Sequence, residues 1–200
     1  NAEIVAGNAD WLVCCSASAG PTFEGGGIAC GMRAMPGAIE RLSIRKGGQG
    51  IAYSVIGEGS PRGLCGSGLM DTVAELLRNG IIDRGGKIVA RGQRVRDGED
   101  GREFVLVEAS RTADNRDIVI TEADLANFIR SKGAIYHAAE CLLESMGLGF
   151  DDAQNIYISG GFGNYLDIRK AILIGLLPDL PIERFQFIGN GSLQGAKMVL

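Results

Sequence analysis

The sequence has 200 residues, 46% of them hydrophobic and 22% charged, with a net charge of −4. That is globular composition with enough apolar residues for a core. Lysine and arginine are scattered along an acidic chain, so neither nucleic acid nor an anionic membrane is indicated as a partner, and no apolar run approaches the roughly 20 residues that span a bilayer. The five cysteines, Cys14, Cys15, Cys30, Cys65 and Cys141, form no CxxC pair. No metal-ligand set is assigned, and the thiols are expected to be reduced and cytoplasmic. No signal-peptide pattern is present. The chain opens at Asn1, directly in a strand-like run, which predicts a fragment of a longer protein.

In chain order, residues 3–7 and 11–15 are two apolar runs separated by Asn8-Ala9-Asp10, which predicts a hairpin. Ser16 to Gly27 is rich in small residues; Pro21 excludes helix there, and a short helix is expected at 28–33. Glu24 is the only charge in this loop. It is read either as a solvated or capping carboxylate or as one that orients a ligand or partner. Residues 37–45 and 50–56 alternate as two further strands, with Gly47-Gly48 as their turn. Arg62 to Gly68 is a glycine-rich loop that opens a helix over 67–79, where Leu69, Val73, Leu76 and Leu77 form the apolar stripe; Ser67 is the expected N-cap. Free N–H groups at Gly66 and Ser67 suit a phosphate or hydroxyl; a tight capped loop is the alternative.

Residues 82–117 are the most polar part and predict a surface β-excursion with one strand at 103–108. Ile118-Val119-Ile120 predicts a short strand. Thr121 then caps the longest helix, 122–146, with Asp124 in a capping-box position. Gly133 lies inside that helix at a cost of about 1 kcal/mol against alanine, which points to close approach of a ligand or another backbone. Lys132 beside it is a candidate ligand contact, or a solvated lysine. His137, the only histidine, has no evident acidic partner and is assigned no catalysis.

Asn155 to Leu166, NIYISGGFGNYL, is a short strand that breaks into Gly160, Gly161, Phe162 and Gly163, with a helix expected over 167–173. Glycines there admit positive φ and let a ligand approach without meeting a Cβ, and the N–H groups of the next helix favour negative charge. A last strand, 185–188, runs into Gly189-Asn190-Gly191-Ser192 and a final helix. Three strand–glycine–helix junctions converging on one cleft follow the logic of open α/β sheets, where ligands bind at strand ends.

This order resembles the second half of an actin-like ATPase domain, the fold of sugar kinases, heat-shock chaperone ATPases and actin. Three segments, Gly20–Ile28, Gly63–Asp83 and Ile158–Ala196, resemble more closely the ATP-dependent reductive activators of corrinoid proteins, which return Co(II) corrinoid to Co(I). The resemblance implies an α/β fold, a ribonuclease H-like lobe with a mixed sheet flanked by helices. It implies that residues 1–200 are the C-terminal lobe, with a polar excursion at about 84–117, of a protein whose N-terminal iron–sulfur domain lies outside the chain. It places Gly160, Gly161 and Gly163 in the adenosine motif, brings Lys132 to the ribose or base, and makes the last helix, from Gly191, the second connecting segment between lobes; Phe162, Gly133, Gly66 and Ser67 are grouped with them as candidate cofactor contacts. ATP and Mg2+ are the implied cofactors, with a [2Fe-2S] cluster only in the separate N-terminal domain. No catalytic residue is assigned, because the phosphate loops are not among these residues. The implied partner is a corrinoid protein in anaerobic methyl transfer; a homodimer is among the assemblies allowed. A small-molecule kinase and a chaperone-like ATPase of the same fold stay open as alternatives.

Two structural expectations complete the sequence reading. The strands at 3–16, 37–56, 156–159 and 185–188 should share one sheet, with helices 67–79 and 122–146 packed on it. Phe23 should either anchor a partner from its loop or turn inward and fill the core.

Overall fold

The computed structural model describes residues 2–45, 50–99, 101–160 and 166–200. The chain opens on the antiparallel hairpin β1 (Ala2–Gly7) and β2 (Leu12–Ala17), in register from Ala2–Ala17 to Gly7–Leu12. The Asn8 side chain accepts from the N–H groups of Asp10 and Trp11, which closes the turn. β3 (Ala38–Ile44) pairs antiparallel with β4 (Ile51–Val55) and, through Ala38 and Ile39, parallel with the two-residue β5 (Gly63–Leu64). α1 (Gly66–Arg78) follows at once. β6 (Val95–Gly98), β7 (Gly101–Val107) and β8 (Ile118–Thr121) form an antiparallel meander. The long α2 (Glu122–Glu144) follows, then β9 (Ile156–Ile158), α3 (Ile168–Leu173), β10 (Phe185–Phe187) and α4 (Gly191–Val199).

The expected single sheet is not formed. Among the described residues, the hairpin, the β4–β3–β5 sheet, the β6–β7–β8 sheet and the parallel β9–β10 pair are four separate hydrogen-bonded units. The helices set this arrangement. α2 lies along β1 and β2, and α1 covers β3, with Asp71 and Glu75 of α1 taking the N–H groups of Leu42 and Ile44 on β3.

The core lies between α1, β3, the β7–β8 pair and the first half of α2, with Ile39, Leu42, Leu69, Leu76, Leu106, Ile120, Leu125 and Phe128 fully enclosed. Two carboxylates sit at its edge. Asp71 and Glu75 are buried on α1, and each accepts an N–H from the β3 edge that β5 is too short to cover: Leu42 N at 3.1 Å and Ile44 N at 3.0 Å. Lys170 of α3 enters the same cluster, donating to Leu42 O at 3.1 Å and pairing with Asp71 at 3.1 Å and Glu75 at 3.5 Å. Arg78 also pairs with Glu75. Each buried charge therefore has an opposite charge and a hydrogen bond, the condition for tolerating it.

Three local expectations change. No helix forms at 28–33; a 3-10 turn at Thr22–Glu24 precedes it and the chain then stays irregular. α1 is capped by Cys65, with no side-chain bond, rather than by Ser67. The polar excursion is not only surface, because Phe104 to Val107 are buried. Its arginines serve its own backbone: Arg94 donates to Val105 O and Leu106 O, and Arg102 to Ile88 O and Ala90 O.

Candidate functional site

β9 and β10 run parallel, so both point their C-terminal ends, Ser159-Gly160 and Gly189-Asn190-Gly191, the same way. Gly160 takes φ 110° and Gly189 φ 70°, values open to glycine at little cost. The two ends are stitched together. Gly160 N donates to Gly189 O at 2.7 Å, and the Ser159 hydroxyl donates to Gly189 O at 3.3 Å while accepting from Gly191 N at 2.9 Å. A Cβ on Gly191 would stand 2.5 Å from Ser159 Oγ, so glycine is required for this stitch. Asn190 caps α4 by accepting from Leu193 N at 3.0 Å. A Cβ on Gly160 would meet nothing within 4 Å. The junction is thus open on one side and rigid beneath. Ser159 was not singled out from the sequence, since a serine before a glycine run carries no signal without its parallel partner strand.

Gly161, Phe162 and Gly163, the rest of the expected cradle, lie outside the described residues. Gly66 and Ser67 are buried at the start of α1, with Ser67 Oγ 3.3 Å from Cys65 Sγ. Among the described residues no hydrogen bond joins them to the Gly160–Gly191 junction.

Gly133 lies at the midpoint of α2, and a Cβ there would meet no atom within 4 Å. Lys132 reaches the end of α3, where its Nζ stands 3.1 Å from the place a Gly175 Cβ would take. Burial, and then the charge of Arg84, lower the pKa of its ammonium. Lys132 and Arg84 line a cavity of about 140 Å3 between α1, α2 and α3.

The Gly20–Gly27 loop is fastened to the other face of α2. Asp124 accepts from Ala29 N at 2.8 Å while completing the Thr121 capping box; Asn127 donates to Gly27 O at 2.6 Å; Ser131 bonds Thr22 at 2.8 Å. Phe23 packs edge-on against Phe128 with ring centroids 5.6 Å apart. Phe23 therefore fills the core, and the partner-anchor expectation for it is withdrawn. The sequence signal was the set of polar residues 124, 127 and 131 beside an apolar stripe, one helical face carrying both. Glu24 stays exposed on its turn. His137 lies 3.4 Å from Glu140, an acidic neighbour one helical turn on that the sequence reading did not credit. Among the described residues no group of three or more His, Cys, Asp or Glu side chains is placed to hold a metal, and no helix is long and apolar enough to cross a membrane.

The architecture is that of an actin-like ATPase domain. Over residues 1–200 the sequence matches the family described as the C-terminal domain of RACo, the ASKHA domain, and the chain belongs to that family. It is 39% identical, across its whole length and 35% of the relative, to the corrinoid activation enzyme RamQ of Eubacterium limosum. It is 27% identical, over 98% of the chain and 36% of the relative, to a reductase of the Co(II) methylated amine-specific corrinoid protein of Methanosarcina barkeri. A solved reductive activator for a corrinoid, iron–sulfur protein superposes with a TM-score of 0.92 at 52% identity, covering 98% of this chain and 32% of that one. The chain thus spans about a third of the length of the relatives it matches.

Proposed function

We propose that the chain is the ATP-binding C-terminal lobe of a cytoplasmic reductive activator. The whole protein couples ATP hydrolysis to one-electron reduction of Co(II) corrinoid to Co(I) on a partner corrinoid protein. Family membership and the named activities of three relatives support this reading. Co(II) reduction lies below the potential of ordinary cellular donors, and each 30 mV costs about 0.7 kcal/mol for one electron. Bound ATP supplies that difference when its hydrolysis changes lobe closure and partner affinity.

The residues present fit the nucleoside part of ATP. The observation that carries the placement is Gly133. A helix-interior glycine costs about 1 kcal/mol, and no described protein atom lies within 4 Å of the vacant side-chain position at this exposed site, which leaves room there for a ligand. Gly160 is the described end of the glycine run assigned to the adenosine side; Gly161, Phe162 and Gly163 belong to that assignment and lie outside the described residues. Gly191 holds that end through Ser159, and Lys132 donates to the ribose or base. Gly66 and Ser67, being buried, act from beneath by setting the start of α1. Mg2+ travels with the phosphates, and the [2Fe-2S] cluster belongs to a separate N-terminal domain.

The test is Gly133→Leu in the full-length protein. The new side chain enters open space, so the fold is retained. ATP affinity by calorimetry should fall by tenfold or more, and ATP-dependent Co(II) reduction, followed by corrinoid absorbance, should fall with it. Unchanged ATP affinity would remove the nucleotide from α2.

A further inference from the structure

We infer that Arg84 and Lys132 form a phosphate-binding subsite in the cavity between α1, α2 and α3. The cavity holds about 140 Å3, some ten times the roughly 10–15 Å3 of such space that one water needs. A phosphate group fits it. Its walls are largely apolar, with Val73, Leu77, Phe128 and Ile172 among them. Two cations meet in this setting. Lys132 is drawn in far enough that burial and Arg84 both disfavour its charge.

Neither cation has an internal reason to be there. Among the described residues, neither Lys132 nor Arg84 makes an ion pair or hydrogen bond. The one carboxylate in the wall, Asp83, accepts Lys87 N at 2.8 Å through Oδ1 and closes its own turn. Lys132 is not capping α3 either. The last carbonyls of that helix, on Lys170, Ala171 and Ile172, already accept from Ile174, Leu176 and Gly175. Two cations and one carboxylate line the cavity, a net charge of +1 that favours an anion entering it. A guanidinium and an ammonium both donate to phosphate oxygens, the first bidentately and the second as a point charge. Gly175, at φ 69°, leaves Lys132 Nζ the room it uses.

The subsite takes Lys132 from the ribose or base to a phosphate and leaves the rest of the nucleotide reading as it stands; the source of that phosphate is what the experiment separates. That source is either a phosphate of bound nucleotide or free inorganic phosphate, and the two separate experimentally. Arg84 is exposed, so Arg84→Gln is not expected to disturb folding, which unfolding curves check. In the full-length protein, inorganic phosphate, ATP and adenosine are titrated against wild type and Arg84→Gln by calorimetry. Loss of about tenfold in phosphate affinity, the size of one charge-assisted hydrogen bond, with adenosine unaffected, establishes the subsite. If ATP weakens in parallel while adenosine does not, the phosphate is the nucleotide's; if ATP is unmoved, it is free phosphate. Equal phosphate affinity in both proteins, together with an unchanged ATP-to-adenosine ratio, overturns the proposal. Failure of the nucleotide reading looks different, because wild type would then bind neither ATP nor adenosine.

Discussion

The junction before α1 and the junction before α4 are written alike in sequence, a short strand followed by glycines and a helix, and the structure treats them in opposite ways. At α1 the glycines let the helix sink. A Cβ on Gly68 would stand 2.0 Å from Ile39 O, Gly66 and Ser67 are buried, and most of the helix is enclosed with them. At Gly160 and Gly191 the glycines let two turns cross and leave a face open. α4 has no buried residue among those described, and Leu193 and Met198 are exposed. The difference teaches that a glycine run licenses close approach without saying what approaches. At α1 the visitor is the protein's own strand, while at Gly160 and Gly133 no described atom lies within 4 Å of the place a Cβ would take.

The closed side can be broken most strongly through its charges. Lys170→Met removes the lysine that faces both Asp71, 6% exposed, and Glu75, 1% exposed. Leaving such carboxylates undercompensated should cost about 3–5 kcal/mol, read from denaturant unfolding, and co-substitution Asp71→Asn should recover part of it. Gly68→Ala comes next. A methyl group driven against the Ile39 backbone should cost about 3 kcal/mol, and an unchanged midpoint would mean that α1 is not seated as described. Gly133→Leu should act in the other direction, raising stability by up to about 1 kcal/mol through helix propensity alone. The pair of glycine variants, one falling and one rising, is the sharpest statement of the contrast.

The smallest effect is in pH. Ile88 N–H and Lys87 hold the Glu122 carboxyl below its ordinary value of 4.5. A carboxyl lowered on folding adds stability above its unfolded value, and that contribution disappears as pH falls through the folded one. Glu122→Gln should therefore lower stability slightly at neutral pH and remove the decline that Glu122 contributes below about pH 4.5, so that the two curves converge in acid.

Elements set by neighbours in the chain were legible beforehand. The β1–β2 hairpin follows from alternation around Asn8, α1 from its leucine stripe, and the start of α2 from Thr121 and Asp124, which form the capping box. Features set by distant partners were not. Nothing local to Phe23 says that Phe128 will receive it, and nothing near Asp71 says that its acceptor will be spent on Leu42 N. The expected shared sheet fails for the same reason, since strand order depends on which edges the helices take first. The charged excursion misled by composition. Two of its arginines, Arg94 and Arg102, bind their own region's carbonyls, so polarity there marks internal bonding as well as solvent. Of the candidate site, the glycine positions were visible and the stitch through Ser159 was not, because only the parallel pairing of β9 with β10 creates it.

The carboxylates of α1 also measure the strand they hold. Asp71 and Glu75 are four residues apart on a helix, about 6 Å along its axis; Leu42 and Ile44 are two apart on a strand, about 6.6 Å. The two spacings agree closely enough for both bonds to form together, in one alignment only. Sliding α1 by a single residue would strand both acids at once. Helix and strand therefore behave as a ruler laid against its own scale. Held by both acids at once, α1, β3 and the Lys170 end of α3 form one rigid piece that any bending must leave intact.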